Sequence, residues 1–198
     1  MKGKRKHNKH RSRHIINFYS DKNGCHIWCE SFLESTYALH LEFDESVACY
    51  ASQPEFFSVH GRRYTPDFEV LYKSGYSEYV EVKNSLFMDD EFFEIHKLRK
   101  RFIYDLTKRE LRVVSELDFN DIETENYKIL KRYRTVNVSE LVPKTHILPK
   151  KLPLSKLEKW VEKIDGATKA HAWALVANQY FHFNVFEPLG SESLLMRA

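Results

Sequence analysis

Two runs rich in aromatic and β-branched residues, Tyr64–Tyr72 and Ser77–Lys83, flank the turn-forming stretch Lys73-Ser74-Gly75-Tyr76. This pattern points to an antiparallel hairpin. Side chains alternate along each strand and residues directly opposite share a face, so loop length decides which residues meet. A three-residue loop at 73–75 sets Asp67 opposite Glu81, and one at 74–76 sets Asp67 opposite Lys83. Either register puts Asp67, Glu81 and Lys83 on one face, with Val80 and Val82 on the other. A two-residue Ser74-Gly75 turn would set Asp67 opposite Val82 and scatter the three. The expectation is an odd-length loop, or a bulge near Pro66.

Those residues carry a specific chemistry. Pro66-Asp67 is followed by Glu81-Val82-Lys83, the glutamate lying fourteen residues after the aspartate. Carboxylates are hard oxygen ligands suited to Mg²⁺. Such an ion polarises a phosphate and lowers the pKa of a bound water, while a lysine orients that water or offsets phosphate charge. The constellation suits a magnesium-dependent phosphodiesterase. The same charges on the wet face of an ordinary hairpin would form only cross-strand pairs, so the rest of the chain has to arbitrate.

Upstream, Trp28–Phe43 carries Phe32, Leu33, Tyr37, Leu41 and Phe43 at mixed three- and four-residue spacing, a helix with one buried side. Glu30 and Glu34 share an edge of that helix and Glu42 lies elsewhere on the wheel; composition does not choose between Glu30 and Glu34. Cys25, His26, Cys29 and Cys49 offer Cys-x3-Cys without a second tight pair, which is not a zinc pattern. Downstream, Asp89, Asp90, Glu91 and Glu94 precede Lys97, Arg99, Lys100 and Arg101, an order that complements a helix dipole. Phe92, Ile95, Phe102 and Leu106 read as its buried stripe. Leu111–Ser115 reads as a core strand and Glu123–Tyr133 as a further helix. The alternation predicts an α/β fold, a mixed β-sheet flanked by helices.

The stretch from about Arg13 to Glu116, roughly half the chain, resembles the TnsA family, the endonuclease subunit of heteromeric cut-and-paste transposases. The matching residues are Ser31-Phe32-Leu33-Glu34, Leu41-Glu42-Phe43-Asp44, Val47, Gln53-Pro54, Tyr64-Thr65-Pro66-Asp67-Phe68, Tyr79-Val80-Glu81-Val82-Lys83 and the strand around Leu111–Glu116. Their order and spacing are more specific than any one of them. The resemblance implies a restriction-endonuclease-like PD-(D/E)xK core over 21–142 and a catalytic set of Glu34, Asp67, Glu81 and Lys83. In that set Glu34, Asp67 and Glu81 would hold one or two Mg²⁺ ions, with Mn²⁺ able to substitute. It is the Ser-x-x-Glu match that selects Glu34 over Glu30.

The implied activity is cleavage of the 5′ ends of a transposon, on the strand not joined to target. The implied partners are double-stranded transposon-end DNA, a TnsB-like transposase and a TnsC-like AAA+ ATPase. No Walker-type glycine loop occurs, so ATP use would belong to a partner. Pro143, Pro149 and Pro153 mark 143–153 as a Pro-rich linker. Beyond it, 154–198 resembles an abbreviated helix-turn-helix or winged module, expected to dock a partner before it reads sequence. The rival readings are another PD-(D/E)xK nuclease (restriction, repair or junction-resolving) and a non-catalytic DNA-binding scaffold.

The chain of 198 residues has no long apolar run and no apolar N-terminal segment, so neither a membrane span nor a secretory signal is expected. The location expected is the prokaryotic cytoplasm, on DNA. The formal net charge of +3 conceals a strong asymmetry. Residues 1–20 contain Lys2, Lys4, Arg5, Lys6, Lys9, Arg11 and Arg13 and no acid, whereas the remainder has 24 basic against 28 acidic residues. That segment reads as a basic arm that orders on a polyanion, here DNA. If about six of its side chains reach phosphates, affinity for duplex DNA falls about a thousandfold between 50 and 200 mM salt. Fluorescence anisotropy across that range checks this, and deleting residues 1–14 should flatten the dependence.

Overall fold

The computed structural model describes residues 15–198; Lys2, Lys4, Arg5, Lys6, Lys9, Arg11 and Arg13 lie outside the described residues. The chain opens with the hairpin β1 (Ile16–Ser20) and β2 (Cys25–Cys29), followed by α1 (Phe32–Phe43) and β3 (Val47–Ser52). A second small hairpin, β4 (Phe57–Val59) and β5 (Arg62–Tyr64), leads into β6 (Phe68–Tyr72) and β7 (Ser77–Val82). Then come α2 (Asp90–Thr107), β8 (Glu110–Val114) and α3 (Asp121–Lys131).

The central sheet has the order β3-β6-β7-β8. β6 is antiparallel to both β3 and β7, and β8 runs parallel to β7. The β7–β8 crossover carries α2, as a parallel connection requires. Hence the protein is a mixed α/β fold with a mixed sheet flanked by helices. On one face Phe68, Val70, Val80, Val82 and Val114 pack against Tyr37, Ala38 and Leu41 of α1. On the other, Tyr79 and Leu111 pack against Ile103 of α2 together with Phe57, Val59 and Tyr64 of β4–β5.

Several expected boundaries move. Residues 16–20, grouped with the basic arm by their charge, form β1, whose Phe18 packs on the core opposite Ile27. Trp28 and Cys29 belong to β2 rather than to the first helix, which starts only after Ser31. In α2 the buried residue is Ile103, while Leu106 is 65% exposed. The sequence periodicity had the right helix but placed its inner stripe one position off at that end.

The segment 143–153 is not a free linker. A 3₁₀ turn at Val142–Ile147 takes Pro143 in its first turn, where a missing N–H costs nothing. β9 (Lys151–Pro153) then pairs with β11 (Leu194–Arg197), which also pairs with β10 (Phe181–His182). β9 is an edge strand, the one place in a sheet that accommodates proline readily. α4 (Leu154–Val161) and α5 (Lys169–Ala177) complete the C-terminal part. Its core is continuous with Leu39 and Phe43 of α1 and Leu130 of α3, so 154–198 is packed onto the preceding segment. Among the described residues no helix is long and apolar enough to cross a membrane.

One buried charge ties these parts together. Glu42, near the end of α1, is fully buried. It accepts from Ser20 Oγ, from Tyr50 Oη at 2.7 Å and from the Asp21 and Lys22 amides at 3.0 and 3.3 Å, with Lys131 Nζ of α3 3.8 Å away. Removing that carboxylate takes the acceptor from the Ser20 hydroxyl and the Asp21 and Lys22 amides, leaves Tyr50 Oη only the Ala38 carbonyl at 3.3 Å, and leaves Lys131 only the Asp21 carboxylate. Glu42→Ala should cost about 3–5 kcal/mol, measured by urea unfolding, with loss of the β1–β2 turn as the first local event by hydrogen exchange.

Candidate active site

The site lies where the β6–β7 ladder ends. The loop between these strands is Lys73–Gly75, closed by Tyr72 N–H to Tyr76 O at 2.8 Å, and Gly75 takes a φ of 86° that a side chain would oppose. The last pair in register is Phe68↔Val80, so the next step sets Asp67 beside Glu81, the first of the two expected registers. Pro66 follows β5 and halts the ladder there. The next inward-facing donor, Val82 N–H, is taken by Asp67 Oδ2 at 2.7 Å instead of by a strand carbonyl. The Asp67 carbonyl in turn accepts from Gln53 N–H at 2.8 Å, which fixes the main chain from the β3 side.

Glu34 sits in the first turn of α1, and the local chemistry that puts it there is helix capping. Ser31 is the N-cap: its Oγ accepts from Glu34 N–H at 3.1 Å, and Glu34 Oε1 accepts from that hydroxyl at 2.8 Å. Glu34 Oε2 accepts from Glu30 N–H at 2.7 Å. The Ser-x-x-Glu spacing is thus a capping signature. Glu34 is buried whereas Glu30 precedes the helix and is half-buried, so the two do not share a helix edge.

Glu81 is held by two residues that sequence reading did not place in the site. Tyr64 Oη donates to Glu81 Oε2, and Arg99 Nη1 of α2 lies 3.7 Å from Oε1. The Arg99 guanidinium stacks 4.0 Å above the Tyr64 ring. The signal for Arg99 was present in its four-residue spacing from Ile95 and from Ile103, which places it on the inner side of α2.

Electrostatics bring Glu34, Asp67 and Glu81 into one system. Burial, then the charge of Glu81, then that of Glu34 push the Asp67 carboxyl up to about 8, against the pull of the Val82 amide. Glu34 is also raised, first by burial and then by Glu30 and Glu81, with its capping hydrogen bonds opposing. The fully buried Cys29 thiol is pushed up to about 12 by burial and by Glu34 and Asp67, so it stays protonated and offers no thiolate ligand. Lys83 extends the β7–β8 pairing through its amide, 2.8 Å from Val114 O. Its Nζ stands 5.8 Å from the ring centres of both Phe87 and Phe92, and it makes no ion pair among the described residues.

The donors fit a hard divalent ion by chemistry: all are carboxylate oxygens, and their mutual repulsion is what a dication relieves. Among the described residues, however, no three acidic, histidine or cysteine side chains are grouped closely enough to hold a metal ion as they stand. Compared with known proteins, the chain matches no family model and no curated sequence.

A raised carboxyl pKa has a definite sign in stability. From about pH 4 to about pH 8 folded Asp67 retains a proton that the unfolded chain has released, so the metal-free protein loses stability as pH rises through that window. Asp67→Asn should abolish this loss and be the more stable protein at pH 8. Urea unfolding midpoints of both proteins in EDTA, from pH 5 to pH 9, check it.

Proposed function

We propose that the protein is a Mg²⁺-dependent DNA endonuclease of the restriction-endonuclease-like PD-(D/E)xK type, acting like the TnsA subunit of a cut-and-paste transposase. The observation that carries the reading is the placement of Asp67 beside Glu81 at the open end of a mixed sheet, with the buried Glu34 near enough to add its charge to theirs. A purely structural hairpin has no use for that repulsion, which costs stability at neutral pH. The order β3-β6-β7-β8, with an antiparallel hairpin followed by a parallel strand, suits the same fold class.

Glu34, Asp67 and Glu81 would hold the ion, which when bound supplies polarisation of the scissile phosphate and a water of lowered pKa. The protein's own residues do the rest. Tyr64 and Arg99 hold Glu81 in place, and Ser31 with the Glu30 amide fixes Glu34. Lys83, free of ion pairs among the described residues, is available to orient the attacking water or to offset phosphate charge. The substrate proposed is double-stranded transposon-end DNA cut at its 5′ ends. A TnsB-like transposase would make the 3′ cuts, and a TnsC-like ATPase would supply ATP use. The basic residues Lys2 to Arg13 would contribute non-specific phosphate contacts.

Strand-resolved cleavage of donor DNA carrying the element ends, with partner proteins and Mg²⁺, tests this. Asp67→Asn and Lys83→Ala should each reduce 5′-strand cutting by about a hundredfold or more, with complex assembly and 3′ cutting retained. Undiminished cutting by both variants would sink the nuclease reading and leave the DNA-binding scaffold.

A further inference from the structure

The hairpin β4–β5 and helix α2 line an open cleft of about 370 Å³, within the roughly 300–1,000 Å³ of small-molecule sites. Val59 and Tyr64 form its buried wall, Arg62 and Leu98 its exposed edge, and Arg99 lies between them. Because Tyr64 and Arg99 both also contact Glu81, the cavity shares a wall with the carboxylate cluster. Arg62 makes no ion pair among the described residues, so its charge is available at the rim.

The chemistry of the lining narrows the ligand. A cationic rim over an apolar and aromatic wall suits a molecule that is anionic at one end and flat with an apolar face at the other. A phosphate alone would use the arginines and leave Val59, Tyr64 and Leu98 without contact. The backbone of an intact duplex rides over a surface and does not fill a concavity. A nucleotide whose base has left the stack satisfies both parts, since guanidinium planes are usual platforms for unstacked bases and the Arg99 guanidinium lies over the buried Tyr64 ring. Resting on the nuclease reading for its place beside the scissile phosphate, we propose that this cavity receives the base of one unstacked nucleotide of the substrate strand, with Arg62 on its phosphate. The enzyme then senses local opening of the duplex as well as its backbone, and frayed or distorted ends become its better substrates.

The experiment separates base from phosphate and works without catalysis. In EDTA, anisotropy compares binding of a labelled ten-residue oligothymidylate with an abasic oligomer of the same length and phosphate count. The full-length wild-type chain should bind the thymidylate at least about fivefold tighter, the lower bound for one stacked base. Leu98→Glu, at a helix position already 52% exposed, should collapse that ratio towards one without lowering the melting temperature. Arg62→Ala should weaken both oligomers equally. Equal wild-type affinity for the two oligomers overturns the proposal, as does a ratio that survives Leu98→Glu. Should Leu98→Glu fail to fold, Leu98→Ala, a smaller change at the same exposed position, should lower the ratio in its place, and an unchanged ratio overturns the proposal. Binding in EDTA is independent of cutting, so a normal ratio alongside undiminished cutting by Asp67→Asn would remove the nuclease reading and keep the pocket, and the reverse pattern would do the opposite.

Discussion

Every side chain on β6 and β7 takes its place from the three-residue loop Lys73–Gly75, because the pairing of those strands counts outwards from it. One residue fewer would carry Phe68 and Val80 to opposite faces, and the two-sided core could not form. The same count brings Asp67 beside Glu81 at the open end of the ladder. Register and chemistry are therefore one constraint: the packing that buries Phe68, Val70, Val80 and Val82 also assembles the acids at the end of the ladder.

That end is electrostatically divided. Glu30, Glu34 and Glu81 set their charges around Asp67, and Arg62, Arg63 and Arg99 line the neighbouring cleft beside Tyr64. Arg99 bridges the two by stacking on the Tyr64 ring while facing Glu81. A substrate that is itself a chain of phosphates fits such a division, provided that a cation covers the acidic half. Without one, Asp67 keeps its proton and the site remains neutral at that position.

The sequence made local features legible and hid the non-local ones. Turn residues between alternating runs sufficed for the hairpin, and acid-then-base order sufficed for α2. β1 was missed because lysines and arginines upstream dominated the charge pattern, although Phe18 opposite Ile27 gives it an inner face. The start of α1 was set too early because Trp28 matched a helical period that is in fact strand alternation. Prolines in 143–153 suggested a tether, yet an edge strand and a 3₁₀ first turn both accept them. Glu42 was set apart from Glu30 and Glu34 on the helical wheel but given no role; only the arrival of Ser20, Tyr50 and Lys131, each from a different element, makes it a buried hub. In the candidate site, Asp67, Glu81 and Lys83 were approachable by counting, Glu34 needed the family likeness, and Arg99 depended on which face of α2 turned inward.

Helix α1 belongs to two interiors at once. Tyr37, Ala38 and Leu41 are sealed against the sheet, while Leu39 and Phe43 are sealed among α3, α4 and α5. A rod gripped at both sides transmits displacement along its length, because close-packed interiors yield little. The C-terminal segment 154–198 therefore bears directly on the far end of the rod that carries Glu34. The helix that positions Glu34 is thereby held from both the sheet side and the C-terminal side, so neither half of the core can repack without moving it.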